Sequence, residues 1–403
     1  MRIEQLVRSA GLALAVLGLL ASRAGAEPYL MVREGAKCSA CHTNQTGGGK
    51  RTAFAHIHAH DIEHDIELLP IPPGTKPFNG ELNSYVSVGG DLRVANTSTF
   101  EDRPDSLGRV PENRVFRRSV TSNNTAVNEV LGYLQIDLFS DIATFYADEN
   151  LTSGATNREA FGLLQHFLPK TGYDWLDYLL GDSYFKAGRM FPAYGLRVQD
   201  DEAFIRSKSG FTFGNFVEGG EIGTQPGPFF LASSITNSSE PGGKDVQATF
   251  NGYGVFEDIP VVRNVVAGAS YARRPNTKSD VKAFYGGSNI WKFTYLGEID
   301  LIDDPKVQYV TYGEVDLLLF DWLNVRGTFD FLKARLDRDA TRFAIGLEPF
   351  ISRVIQPRIQ YRINNGPNEA FAPGASASDR ATTGAANADA NKDELRIELH
   401  LFF

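Results

Sequence analysis

From Glu81 to the final Phe403 the chain alternates apolar and polar positions with the period of a β-strand. Leu82, Val86, Val88, Leu92 and Val94 fall on one face, and Asn83, Ser87, Asp91 and Arg93 on the other. Trp291, Phe293, Tyr295, Ile299 and Leu301 oppose Lys292, Thr294, Glu298 and Asp300. Val325, Phe329 and Phe331 oppose Arg326, Thr328 and Asp330, and Ile359, Tyr361 and Ile363 oppose Arg358, Gln360 and Arg362. A soluble sandwich alternates in the same way, so no single run decides the class. Two features point to a membrane barrel. The runs are close to the about 9–11 residues that cross a bilayer, and charge recurs on the non-apolar face, where a barrel has its lumen. The pattern predicts an all-β chain, a transmembrane β-barrel of about 16 antiparallel strands, an even number as bacterial barrels require.

The last run sharpens the picture. Leu395, Ile397, Leu399, Leu401 and Phe403 alternate with Glu394, Arg396, Glu398 and His400. A final strand ending in phenylalanine resembles the assembly signal of bacterial outer-membrane barrels. His400 has lumen parity, and His166, in a strand-like run, is given the same reading. Short connections at Ser140–Asp141 and Asp303–Pro305 suit the periplasmic side, and long polar ones at Asn96–Thr125 and Asn364–Lys392 the outside. An even strand count places both chain ends in the periplasm. Trp175, Tyr178 and Trp322 suit interfacial aromatic girdles or, equally, core packing.

Residues 1–26 have the form of a signal peptide: Arg2 and Arg8, an apolar core from Ala10 to Ala21, and an Ala24-Gly25-Ala26 cleavage site before Glu27. Elsewhere no stretch approaches the about 20 apolar residues of a membrane helix. With 42% hydrophobic residues the composition excludes a helical membrane bundle but not a barrel. A net charge of -9 argues against nucleic acid as a partner and favours cations or basic proteins.

Chemistry concentrates at Cys38-Ser39-Ala40-Cys41-His42, which holds the chain's only two cysteines. C-x-x-C-H is the pattern of covalent c-type haem attachment. Each thiol forms a thioether to a porphyrin vinyl group, and the adjacent histidine becomes the proximal iron ligand. A zinc site would need two further ligands, and a thioredoxin-like disulfide a βαβ setting that the sequence lacks. For the sixth iron position the candidates are Met31, Met190 and the cluster His56, His58, His60 and His64, with the cluster the expected source and bis-histidine iron the result. That cluster puts imidazoles on one face as a strand or as a helix, or forms a solvated tract. Residues 27–80, with Gly47-Gly48-Gly49 inside and a Pro70–Pro77 linker behind, are too few to fold unaided. They suit a plug in or under the pore, attached to a barrel over residues 81–403.

An exported chain with one C-x-x-C-H running into a porin-like barrel resembles the fused monohaem cytochrome–porins, whose best-known members are outer-membrane iron oxidases. Cys38, Cys41 and His42 carry the motif-level match, and Phe185–Pro192 with Tyr194-Gly195 looks like an early porin strand. In the family the haem motif is followed by Pro-x-Leu and Gly-x-x-Phe. Here Thr43–Gly49 and the histidine tract stand in their place. The resemblance implies one haem c, an iron(II) oxidase activity and a periplasmic cytochrome c as electron partner. An external donor or acceptor would stay outside the outer membrane. Asp200, Asp201 and Glu202 would attract Fe²⁺ at the outer mouth or be solvated loop charge. Two other readings compete. One is a channel whose Arg326, Arg358, Arg362 and Arg396 set selectivity; the other is a gas- or peroxide-binding haem protein with an open distal position.

Overall fold

The computed structural model describes residues 28–52, 54–55, 80–101, 119–139, 142–152, 157–168, 171–198, 200, 202–212, 215–237, 246–274, 279–336, 338–351, 355–366 and 392–402. The signal peptide, the Pro70–Pro77 linker, Asp201, Phe403 and the cluster His56, His58, His60 and His64 lie outside the described residues.

Sixteen strands form one closed antiparallel barrel in which each strand pairs with its sequence neighbours. They are β1 (Val86–Glu101), β2 (Ser119–Leu138), β3 (Ala143–Asn150), β4 (Asn157–Gln165), β5 (Tyr184–Met190), β6 (Val217–Thr224), β7 (Phe229–Asn237) and β8 (Val246–Glu257). There follow β9 (Asn264–Arg274), β10 (Ser279–Ile290), β11 (Phe293–Ile302), β12 (Val307–Phe320), β13 (Leu323–Ala334), β14 (Ala340–Pro349), β15 (Ile355–Asn365) and β16 (Lys392–Phe402). β1 closes on β16 in a register running from Asp91↔Phe402 to Glu101↔Lys392. Closure leaves no unpaired strand edge, as a lipid setting demands.

Which face points inward separates barrel from sandwich. Phe284 is 55% exposed, and Ile235, Phe343, Ile345 and Ile397 are exposed with it on the outside. Asp91, Lys186, Glu221, Asp300 and Asp330 are buried within. A sandwich would bury the apolar faces against each other. This chain turns them outward and closes the polar faces around a lumen.

β1 begins and β16 ends at one rim, here the lower one. β2 ends at that rim and β3 starts there; Ser140 and Asp141 between them lie outside the described residues. The connection at residues 303–306 follows β11, so it lies at the opposite, upper rim. That corrects the periplasmic placement of Asp303–Pro305: the parity of the preceding strand, not loop length, fixes the side. The loop expected from Asn96 to Thr125 is also shorter, because β1 runs to Glu101 and β2 starts at Ser119. Asn96 Nδ2 donates to Asn123 Oδ1 at 2.8 Å and to Thr125 Oγ1 at 2.7 Å. Polar side chains thus satisfy one another and extend the ladder beyond the apolar belt.

At the lower rim Trp175 and Tyr178, 68% and 59% exposed, belong to a short helix between β4 and β5. They are not core residues, and Trp322 stacks on Phe320 just past β12 with ring centroids 5.7 Å apart. His400 has the lumen position expected and is buried. His166 does not: it follows β4 with φ 51° and stands 3.8 Å from Asp182, exposed in the turn.

Candidate cofactor site in the lumen

The N-terminal segment builds a compact unit from short pieces. Helix α1 (Pro28–Glu34) packs its buried Tyr29, Met31 and Val32 against β9, β10 and β11. A single helical turn, α2 (Cys38–Cys41), follows. Its i, i+3 spacing puts both sulfurs on one side. The chain then reverses, with Thr43 N donating to Lys50 O at 3.0 Å and Thr52 N to Cys41 O at 3.0 Å. Gly47, Gly48 and Gly49 make that reversal with φ of +87°, +74° and +69°. Such a left-handed run is open only to glycine at low cost, and it folds Gly47 back against Cys38.

Side chains of the barrel wall grip the segment. Asn44 Nδ2 donates to Glu159 Oε1 at 2.9 Å, Thr43 Oγ1 to Gln135 Oε1 at 2.7 Å and Lys50 N to Tyr146 Oη at 3.0 Å. Cys38 N donates to Tyr253 Oη at 3.4 Å. Inward parity on β2, β3, β4 and β8 points these wall residues into the lumen.

Between segment and wall lies a cavity of about 320 Å³, within the range of small-molecule and cofactor sites. Cys38, Cys41 and His42 line it together with Leu30, Met31, Leu196, Tyr253 and Tyr285. Burial pushes both thiols up, so they stand protonated. Burial, reinforced by Arg51 and Arg197, pushes the His42 imidazole down to about 3. The ring is therefore neutral at physiological pH, the form that ligates a metal. Its Nδ1 is buried without a hydrogen-bond partner among the described residues. Two unbridged thiols and a neutral imidazole around one mostly apolar cavity fit a covalently attached haem, which these three side chains would hold. Among the described residues no group of three His, Cys, Asp or Glu side chains is placed to hold a metal ion, so the further ligands of a zinc site are not found there.

Of the sixth-position candidates, Met31 lines the cavity and its Sδ lies 3.8 Å from Cys38 Sγ. That places it beside the first of the two thiols. Met190 is buried at the top of β5 in the core formed by wall and loop.

Above the cavity the connection between β5 and β6 folds into the barrel. Gly195 N donates to Ser270 Oγ at 2.9 Å on β9, Leu196 N to Glu298 Oε2 at 2.6 Å on β11, and Phe204 N to Asp330 Oδ1 at 3.0 Å on β13. At Gly195, φ +54°, a Cβ would run into the Glu298 carboxylate. Asp200 and Glu202 end on the far wall, where Arg362 pairs with them at 2.7 Å and 2.5 Å. They are therefore latches across the lumen, not cation attractors at an open mouth. The other lumen arginines are paired too: Arg326 with Glu348 at 2.8 Å, Arg358 with Glu348 at 3.6 Å and Arg396 with Glu398 at 2.6 Å.

The latch carries a pH signature. Burial pushes the Asp200 carboxyl up, but Arg362, Arg342 and Arg396 outweigh it and hold Asp200 below the ordinary carboxylate range. A detached loop, with an ordinary aspartate near about 3.9, takes up the proton first, so attachment is favoured above that value and lost below it. Through this carboxyl, planar-bilayer conductance is expected to rise as the pH falls below about 4. Arg342→Gln combined with Arg362→Gln should raise it already at neutral pH. Unchanged conductance in the double variant would show that the latch does not limit the pore.

Cavity residues contributed by the wall and by the inward loop, notably Tyr253, Tyr285 and Arg197, are not singled out by the sequence. For Tyr253 and Tyr285 the only signal is lumen parity within β8 and β10.

No protein-family profile matches the sequence, and no curated protein does. Solved structures do. The high-pH structure of Pseudomonas putida OprB is similar with a TM-score of 0.53 and 8% identity, covering 79% of this chain and 94% of that one. The anion-selective porin from Comamonas acidovorans gives 0.50 and 10% identity, covering 79% and 99%. OmpT of Vibrio cholerae, described as outer-membrane expressed, gives 0.48 and 11% identity, covering 80% and 99%. At these identities the likeness concerns the fold: a closed antiparallel barrel of sixteen strands, of the kind found in outer-membrane porins.

Proposed function

We propose that the chain is an outer-membrane electron-transfer protein bearing one haem c in the lumen of its barrel. The observation that carries this reading is the mostly apolar cavity lined by Cys38, Cys41 and His42. The cysteines would hold the group through two thioethers and His42 would be the proximal ligand. When bound, haem c supplies a reversible one-electron couple.

The chain's own residues do the rest. The Asn44–Glu159 and Lys50–Tyr146 contacts hold the motif inside the wall. Leu30, Leu196 and Tyr285 give the cavity an apolar lining, and the latched loop crosses the lumen. An extracellular donor, ferrous iron by the family resemblance, loses one electron, and a periplasmic cytochrome c gains it. The barrel keeps the donor outside. The cluster at His56, His58, His60 and His64 would supply the second iron ligand.

A porin-type channel is the second reading, and the fold likeness to OprB and the anion-selective porin favours it. One preparation separates the two. The protein purified in detergent is mixed with Fe²⁺ in a stopped-flow spectrometer, and the same sample is placed in a planar bilayer. Electron transfer predicts rapid growth of reduced c-type bands with low conductance. A sample without haem absorption that conducts like an open porin is a channel.

A further inference from the structure

The lower-rim turn between β6 and β7 has the sequence Gln225-Pro226-Gly227-Pro228. Its two prolines fix their own φ and restrict the residues before them. The turn is also pinned from both sides: Phe229 N donates to Pro226 O at 2.9 Å and Val255 N to Pro228 O at 2.9 Å. Gln225 therefore stands on a stiff platform that belongs to the barrel wall.

From that platform it reaches the N-terminal segment on both sides of Cys38–His42. Lys37 Nζ donates to the Gln225 carbonyl at 3.0 Å, and Ser39 Oγ donates to Gln225 Oε1 at 2.5 Å. Gln225 Nε2 in turn donates to Gln45 Oε1 at 2.5 Å, and Gln45 Nε2 donates to Gln165 Oε1 at 3.0 Å at the foot of β4. One residue thus fixes the position just before the first cysteine, a position between the cysteines, and a position three past the histidine. A side-chain amide is suited to this, since its oxygen accepts and its nitrogen donates at the same time.

We infer that Gln225 is the positioning residue for the Cys38–His42 motif: it sets the height and rotation of the motif in the lumen, and with them the orientation of the His42 imidazole. The inference rests on the haem reading above. A site held by a rigid supporting residue keeps its geometry to within tenths of an ångström, whereas one on a loose segment does not. The axial imidazole's orientation and the access of water both tune a haem iron. Gln225 should therefore govern the potential and not only the docking of the segment.

The test uses the full-length protein in detergent, as wild type, Gln225→Ala and Gln225→Glu. Haem staining of the wild type on a denaturing gel comes first. A wild type without covalent haem sinks the haem reading itself; haem-bearing samples then test Gln225 alone. In Gln225→Ala the barrel should keep its heat-modifiable migration and its haem. Trypsin cleavage after Lys37, Lys50 or Arg51 should become about tenfold faster, since two side-chain hydrogen bonds that oppose opening are gone. The midpoint potential and the low-spin visible bands should shift. Gln225→Glu keeps the acceptor for Ser39 and the carbonyl for Lys37 but loses the donor to Gln45, and should fall between the two in both readouts. Wild-type cleavage together with wild-type potential in Gln225→Ala overturns the inference. Faster cleavage with an unmoved potential overturns it as well, because Gln225 would then only dock the segment.

Discussion

A chain carrying Cys38→Ser together with Cys41→Ser is expected to fold into the same barrel and to bear no covalent haem. The two halves of that expectation have different causes. A thioether needs a sulfur nucleophile, and no other cysteine in the chain can replace these two. The wall does not depend on them: its closure from β1 to β16 is a ladder of backbone hydrogen bonds far from the motif. The Cys38 thiol donates to Met31 Sδ at 3.8 Å, a weak contact that a serine hydroxyl gives up at small cost. The Cys38 backbone N–H keeps its bond to Tyr253 Oη whatever the side chain. The destabilisation should stay within about 1 kcal/mol. Heat-modifiable migration reports the fold, and a haem stain on the denatured band reports the attachment. His42→Ala should behave differently: the stain persists, and the visible spectrum changes as the axial imidazole is lost. A wild type without stain, or a double serine variant that stains like wild type, would end the haem assignment.

The distribution of what the sequence discloses follows from the range of the forces involved. Strand faces are local, and the alternation that sets Phe329 against Asp330 is visible within a few residues. So is the motif, because thioether chemistry demands a fixed spacing along the chain. The strand number follows from counting such runs, and the inward direction of Arg326, Arg358, Arg362 and Arg396 from their parity. What local pattern cannot supply is the partner. Glu202 pairs with Arg362, 160 residues onward, and Asp200 with the same arginine, 162 residues onward. Read alone, those acids look like solvated loop charge or cation attractors. Gln225 and Glu159 show no periodicity or motif that would mark them, since each matters through a contact that only closure of the barrel creates. The side on which Asp303–Pro305 lies is hidden from local pattern for a related reason. Loop length is a weak guide to sidedness, whereas strand parity counted from β1 is a strict one.

The same reasoning makes Lys186 the most costly single position to alter in the wall. Its ammonium and the Glu221 carboxylate stand 2.8 Å apart, both side chains fully buried. Lys186 Nζ also donates to Asn44 Oδ1 at 3.1 Å and lies 5.3 Å from the centre of the Phe161 ring. Tyr184 Oη donates to Glu221 Oε1 at 2.9 Å. Lys186→Met should therefore leave a buried carboxylate whose only remaining donor among the described residues is the Tyr184 phenol. Breaking a buried pair from one side costs about 3–5 kcal/mol, because the uncompensated charge must stay desolvated or force its surroundings open. Lys186→Met with Glu221→Gln removes that charge while Tyr184 keeps an acceptor, and most of the loss should return, since neutral replacement of a whole buried pair is often close to neutral. Asn44→Ala should cost less, about 1–3 kcal/mol, and act chiefly on the segment, because it strips hydrogen bonds from Glu159 and Lys186 without stranding a new charge. Denaturant unfolding of the detergent-folded barrel, followed by tryptophan fluorescence, measures all three. Rescue by the second substitution is the decisive comparison: a double variant as unstable as Lys186→Met alone would mean that packing volume, and not the stranded carboxylate, sets the cost.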